Sequence, residues 1–323
     1  MISALLRVAL RRAPSRVRHV EPVARDMATG LVADVYAQVE RDFGLLAPPI
    51  SLHSPSPEVM AASWLLLRET LLVDGAVDRG WKEAVAAAVS EANSCPYCVE
   101  VHGATARGLG RNGDHDLASL FAGDISSDHS AELIGVAATF EYLNRMVNVF
   151  LPASPLPPGA SPAVSARANR VLGRLLLPRR AVLPQQSAIT ESPPSWAATG
   201  HVGAAFTRAR TAFDAAGERS VPAPVREVVT AVLADWNGEP PGLSRSWVDR
   251  PVSALNEKQR PAARLALLTA MASYQVDDTV IGELRHQGTD DAELIDMTAW
   301  ASFVAASCRA EQFQRLFGGN TRR

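Results

Sequence analysis

Along almost the whole chain, apolar residues recur at the three- and four-residue spacing of a helix, and no stretch alternates as a half-buried strand would. Val32, Val35, Tyr36 and Val39 fall on one helical face, and Trp64, Leu65, Leu67, Leu71 and Leu72 nearly fill another helix. This spacing predicts an all-α protein of ordinary-length helices joined by short turns. With 323 residues, 47% of them hydrophobic, the chain exceeds one compact domain and has ample material for a core, so two domains or two fused halves are expected.

Punctuation along the chain sets the boundaries. A run of prolines from Pro152 to Pro194 marks residues 151–196 as a junction between a helical unit at 27–150 and a second at 197–323. Inside the junction, Val171, Leu172, Leu175 and Leu176 predict one amphipathic helix over Val164 to Leu177. Ahead of both units, Arg7, Arg11, Arg12, Arg16 and Arg18 interleave with Leu5, Leu6, Val8, Ala9 and Leu10. That pattern predicts a basic helix within residues 1–26 that packs on the body or on a neighbouring subunit. It does not suit a targeting signal, because the apolar run is short and serine is scarce.

The net charge of -2, from 32 basic and 34 acidic residues, supplies no field for nucleic acid or an anionic membrane, and neither partner is expected. No segment reads as transmembrane, and a cytoplasmic address is the expectation.

The two units also echo one another. Ser130-Ala-Glu-Leu-Ile134 returns as Asp291-Ala-Glu-Leu-Ile295, and Ala106 with Gly110 is matched by Leu284 with Gly288. Counting back from those glycines places Ser273, Val276 and Val280 opposite Cys95, Cys98 and His102, so a second, diverged copy without the first copy's chemistry is predicted.

That chemistry centres on the cysteines. There are three, Cys95, Cys98 and Cys308, and an odd number with one Cys-x-x-Cys does not suit a secreted disulfide framework. Asp78 is placed to cap a helix that continues through the Ala84–Glu91 run, Asn93-Ser94 ends it, and Ser94 is predicted to cap the next helix. Cys95, Pro96, Tyr97 and Cys98 then occupy a first turn, where the positive end of the helix dipole favours a thiolate. His102 lies one turn beyond Cys98 on the same face, ready to take its proton directly or through water. Glu83, on the preceding helix, orients that imidazole if the two helices lie side by side.

Glu83, Cys95-Pro-Tyr-Cys98 and His102, followed by Ala106 and Gly110, resemble the core motif of the alkylhydroperoxidase D-like group within the carboxymuconolactone decarboxylase superfamily. Pro55-Ser-Pro-Glu-Val-Met60 through Trp64 and Arg68 looks like that group's lead-in helix. The resemblance covers the first half well and the second weakly. It implies an all-α fold forming a homo-oligomer and the reduction of hydroperoxides by a dithiol. By analogy Cys98 is the attacking thiolate, Cys95 the resolving thiol, and His102 with Glu83 the proton relay. It also implies a dithiol reductant as partner, of which a lipoyl-bearing protein is one kind, and no cofactor. Tyr97 stands where members of the group can carry a histidine.

Other readings of the same residues are two buried small hydrophobes, a zinc site of Cys95, Cys98, His102 and Glu83, or a non-catalytic helical scaffold that keeps the fold. Decarboxylation, for which the superfamily is named, needs no dithiol, so the cysteine pair speaks against it. Asn144-Arg145 is expected at a subunit interface or helix end, and Cys308 in the core. His53, His115 and His129 are expected as solvated or capping groups. Tyr36, Trp64 and Trp81 are expected as core aromatics, with Trp81 also near enough to Glu83 to shield the site.

Overall fold

The computed structural model describes residues 17–111, 117–121, 126–156, 192–198 and 200–317, and among them there are helices and no strands. The first half holds α1 (Gly30–Phe43), α2 (Pro57–Leu67), α3 (Arg79–Ala92), α4 (Pro96–Gly108) and α5 (Ser127–Phe150). The second holds α6 (Gly200–Ser220), α7 (Ala223–Ala234), α8 (Arg260–Ala272), α9 (Asp278–His286) and α10 (Asp291–Phe317). None of these helices is long and apolar enough to cross a membrane.

Local chemistry explains most of the helix ends. α1 buries Val32, Val35, Tyr36 and Val39 and stops at Gly44, whose φ of 89° lets its N–H turn back to Glu40 O. α2 starts with proline in its first turn and is apolar on every side, as befits a helix enclosed by others; it runs into a π-helical turn, Arg68–Leu72, whose five residues are all buried. The Asp78 carboxylate caps α3 by accepting from Trp81 N, and Ser126 Oγ caps α5 by accepting from His129 N.

α5 and α10 lie against each other at the centre, α6 packs on both α10 and α2, and α8 packs on α10. Buried apolar side chains from Val20 to Phe313 therefore form one contiguous core, and the two units are fused halves sharing it rather than domains with separate cores. Because α5 is enclosed from both sides, Asn144 and Arg145 are interior groups, not interface or helix-end residues. Asn144 Oδ1 accepts from Ser90 Oγ at 3.1 Å, and Arg145 Nε donates to Ala270 O at 2.8 Å across the halves.

The N-terminal expectation changes as well. Residues 17–26 form no helix, being broken by Pro22 and by the positive φ of 69° at His19. They strap the two halves together: Arg18 N donates to Phe150 O at 2.8 Å, and Glu21 N to Asp291 Oδ2 at 2.8 Å. Residues 1–16 and the predicted helix Val164 to Leu177 lie outside the described residues.

His53 is neither solvated nor a cap. It is fully buried, stacks on Tyr142, and receives or gives a hydrogen bond at 2.8 Å between Nε2 and the Tyr142 hydroxyl. Burial lowers its pKa to about 3, so it is a neutral core group. His129 does sit at a helix start, exposed, with Nδ1 2.7 Å from Ser126 Oγ, whereas His115 is outside the described residues. Cys308 is half-buried on α10.

Candidate dithiol site

α3 and α4 pack side by side. The connection between them is tight: Ser94 takes a left-handed φ of 51°, Cys95 N donates to Ser90 O at 2.9 Å, and α4 begins at Pro96. The residue at the N-cap is thus Cys95, not Ser94. Proline in the first turn fixes the start of α4, because its missing N–H has no helical partner to lose. Cys98 follows in the same turn, and Cys95 and Cys98 are 1% and 3% exposed, with free thiols in hydrogen-bonding contact.

One turn along α4, His102 Nδ1 lies 2.6 Å from Glu83 Oε2 on α3. The other Glu83 oxygen accepts from Arg79 Nε at 2.8 Å, one turn earlier on α3. Burial by itself drives the Glu83 carboxyl up, but the Arg79 guanidinium and His102 outweigh it and hold the group below the usual carboxylate range. Glu83 is therefore an anion aimed at the imidazole. With Nδ1 committed to that carboxylate, Nε2 is the nitrogen left to exchange a proton. Phe140 of α5 braces the ring edge-on, with centroids 4.4 Å apart.

The thiol electrostatics run against the expectation from the helix dipole. Burial, reinforced by the neighbouring Cys95 thiol, pushes the Cys98 thiol well above its ordinary value. The dipole contributes about 1 kcal/mol at a helix end, whereas removing an anion from water costs several, so desolvation decides the sign. Cys98 at rest is therefore a thiol, and a base is needed to ionise it.

Cys98 and His102 both open onto one cleft of about 640 Å³, part of it solvent. Its remaining walls are almost wholly apolar: Phe43, Leu45, Ala47, Pro48 and Pro49 from the end of α1 and the turn after it, Leu67 from α2, Tyr97 and Val101 from α4, Phe140 and Leu143 from α5, and Pro155. Tyr97 is thus a wall of the cleft. Trp81 is not: it packs under Arg111, whose guanidinium carbon is 4.0 Å from the ring centroid.

The structure brings together all four residues singled out in the sequence, Glu83, Cys95, Cys98 and His102. It adds Arg79, whose signal was its position four residues before Glu83, and Phe140, which had none. The zinc arrangement does not fit. Both Glu83 oxygens are committed to Arg79 and His102, and among the described residues no three Cys, His, Asp or Glu converge as metal ligands.

On the second-half side, Asn148 of α5 donates through Nδ2 to Asn93 O at 3.1 Å and to Ser273 Oγ at 3.0 Å, tying the turn before Cys95 to the end of α8. A further likeness joins the halves. Arg264 of α8 pairs with Glu283 of α9 at 2.5 Å, and these residues are 19 apart in sequence, as are Glu83 and His102. This interhelical register sets Val276 and Thr279 opposite Cys95 and Cys98, three residues from the register given by the closing glycines. The two registers reconcile because eight residues separate His102 from Gly110 and five separate Glu283 from Gly288, about one helical turn fewer.

Two buried thiols at a helix start, with a carboxylate-held histidine one turn along the same helix, thus sit in an all-helical protein. Residues 57–154 match the carboxymuconolactone decarboxylase family. Along 327 aligned residues the chain is 34% identical to a protein named Alkyl hydroperoxide reductase Rv2159c, from Mycobacterium tuberculosis (strain ATCC 25618 / H37Rv), covering 90% of this chain and 93% of that one. The chain belongs to the carboxymuconolactone decarboxylase family. No solved structure matches it significantly.

Proposed function

We propose that the protein is a cysteine peroxidase that reduces organic hydroperoxides through Cys95 and Cys98. The observation that carries this reading is the placement of Cys98 and the Glu83-held His102 on one wall of an apolar cleft. The relative named as an alkyl hydroperoxide reductase supports it.

His102 Nε2 takes the Cys98 proton, directly or through water, and the thiolate attacks the terminal peroxide oxygen. The S–O bond forms as the O–O bond breaks, and the departing alkoxide leaves as the alcohol with the proton from His102. Cys95 then attacks the sulfenic sulfur, the disulfide forms, and water departs. A dithiol reductant returns the pair to thiols, and a lipoyl-bearing protein has the chemistry to do so. Assembly as a homo-oligomer and a cytoplasmic address belong to the same reading.

The experiment is thiol counting after one equivalent of cumene hydroperoxide. Cys95 and Cys98 are expected to disappear together and to return with dihydrolipoamide. If both thiols survive the oxidant, the non-catalytic scaffold takes the place of this reading. An apolar wall favours a hydrocarbon-bearing peroxide, so kcat/KM for cumene hydroperoxide should exceed that for hydrogen peroxide by about tenfold or more.

A further inference from the structure

Arg79 is the first residue of α3, a place where the positive end of the helix dipole disfavours a cation. Its pairing with Glu83 four residues on also runs in the weaker order, because an acid ahead of a base is the arrangement that better supports a helix. Helix stability therefore does not account for an arginine here. The guanidinium is nonetheless enclosed, with its side chain 11% exposed, and it meets Glu83 Oε1 twice, from Nε at 2.8 Å and from Nη2 at 2.6 Å. Its third nitrogen, Nη1, is buried with no hydrogen-bond partner among the described residues, so enclosing this cation costs free energy that the contact with Glu83 offsets.

α3 packs against α4, α5 and the π-helical turn, and the other cations of these elements near Glu83 are engaged elsewhere. Lys82 pairs with Glu132 and donates to Val73 O, Arg68 lies between Asp42 and Glu69, and Arg145 pairs with Glu141. From α4, His102 approaches the second carboxylate oxygen, but its charge comes and goes with its proton. Arg79 is therefore the permanent charge acting on Glu83, whose side chain is 1% exposed. Without that charge, a carboxyl so deeply buried favours its protonated form. A protonated Glu83 would give its hydrogen to Nδ1 of a neutral His102. The ring's own proton would then sit on Nε2, the nitrogen that has to be bare to accept one.

We propose that Arg79 is the positioning residue of the dithiol site: its guanidinium keeps Glu83 an acceptor, which holds the His102 proton on Nδ1 and leaves Nε2 bare to receive the proton of Cys98. The effect on turnover rests on the peroxidase reading, whereas the protonation of the imidazole is measured without turnover. Baring Nε2 leaves one more negative charge beside Arg79, so removing the cation raises the pH at which Nε2 gives up its proton.

The experiment is a nitrogen-15 NMR titration of His102 in the full chain, beside the pH dependence of kcat for cumene hydroperoxide with dihydrolipoamide. In Arg79→Met, which keeps the stem and removes the charge, Nε2 is expected to lose its proton about one pH unit or more higher than in the wild type. The acid limb of kcat should move up with it, so that kcat is about tenfold lower on the acid side and converges with the wild type as the pH rises. Arg79→Lys restores the charge and should bring both midpoints back to within about half a pH unit. Folding is checked by circular dichroism, and Arg79→Gln takes the place of Arg79→Met should that variant not fold. The proposal is overturned if Nε2 of the neutral variant titrates as in the wild type, if Arg79→Lys behaves like the neutral variant, or if kcat falls equally at every pH. Absence of turnover in all the proteins would remove the peroxidase reading and leave the NMR titration to decide the role of Arg79.

Discussion

In the first half, α3 and α4 are joined by Glu83 and His102 inside the protein; in the second, α8 and α9 are joined at the same sequence separation by Arg264 and Glu283, near the surface. The first pair places an anion behind a proton acceptor next to two thiols. The second reverses the polarity, with a permanent cation in place of the acid and an acid in place of the histidine, and sets Val276 and Thr279 where the cysteines stand. The start of the helix differs too. α4 begins one residue after Cys95, whereas the chain before α9 makes a 3-10 turn, Ser273–Gln275, passes Val276 in extended form, and is capped by Asp277. One packing arrangement thus carries either a carboxylate-held histidine beside two thiols or an ordinary brace, depending on what four positions carry.

If that contrast is right, the largest effect is at the attacking sulfur. Cys98→Ser should reduce turnover of cumene hydroperoxide to the uncatalysed background, while Cys308→Ser, on α10, should leave it within about twofold; comparable losses in both would erase the distinction between the halves. Next, Glu83→Gln keeps the shape but removes the anion behind His102, and kcat should fall by about 10²-fold with KM little changed.

A smaller effect separates buried from exposed ionisable groups. His53 is neutral in the fold, with a pKa of about 3 against 6.5 when free. Its folded pKa is depressed, so its contribution is complete above pH 6.5 and is lost as the pH falls towards 3, at a cost of roughly 3–5 kcal/mol. Thermal denaturation across that window should show the loss in the wild type and a shallower slope in His53→Gln. Smallest of all, Arg264→Ala removes only a partly exposed ion pair and should cost less than about 1 kcal/mol in urea denaturation. A loss of several would mean that the second-half pair is as essential to its helices as the first.

The helical class was legible because amphipathic spacing is a local property, and the cap at Asp78 follows from residue chemistry alone. The Glu83–His102 contact was legible only conditionally, since spacing along α4 cannot say which face of α3 it meets. The cleft could not be read: Phe43 to Pro49 lie about fifty residues before Cys98 and reach it only through packing. Desolvation misled in two places. The dipole argument for Cys98 took in the helix end but not the enclosing side chains, and His53, expected as a solvated or capping group, lies in a buried turn. The glycine register and the ion-pair register of the second half differ by three residues, because the glycines mark where a helix closes and the ion pair how its side chains meet a neighbour.

The contact of α5 with α10 has one further consequence. Two separate copies would have to find each other by collision, and dilution would part them. Here the partners sit on one chain, so the encounter is first order and its extent is indifferent to protein concentration. The second half is therefore a permanent neighbour of the turn before Cys95, and through Ser273 and Asn148 it touches that turn in every molecule, however few there are.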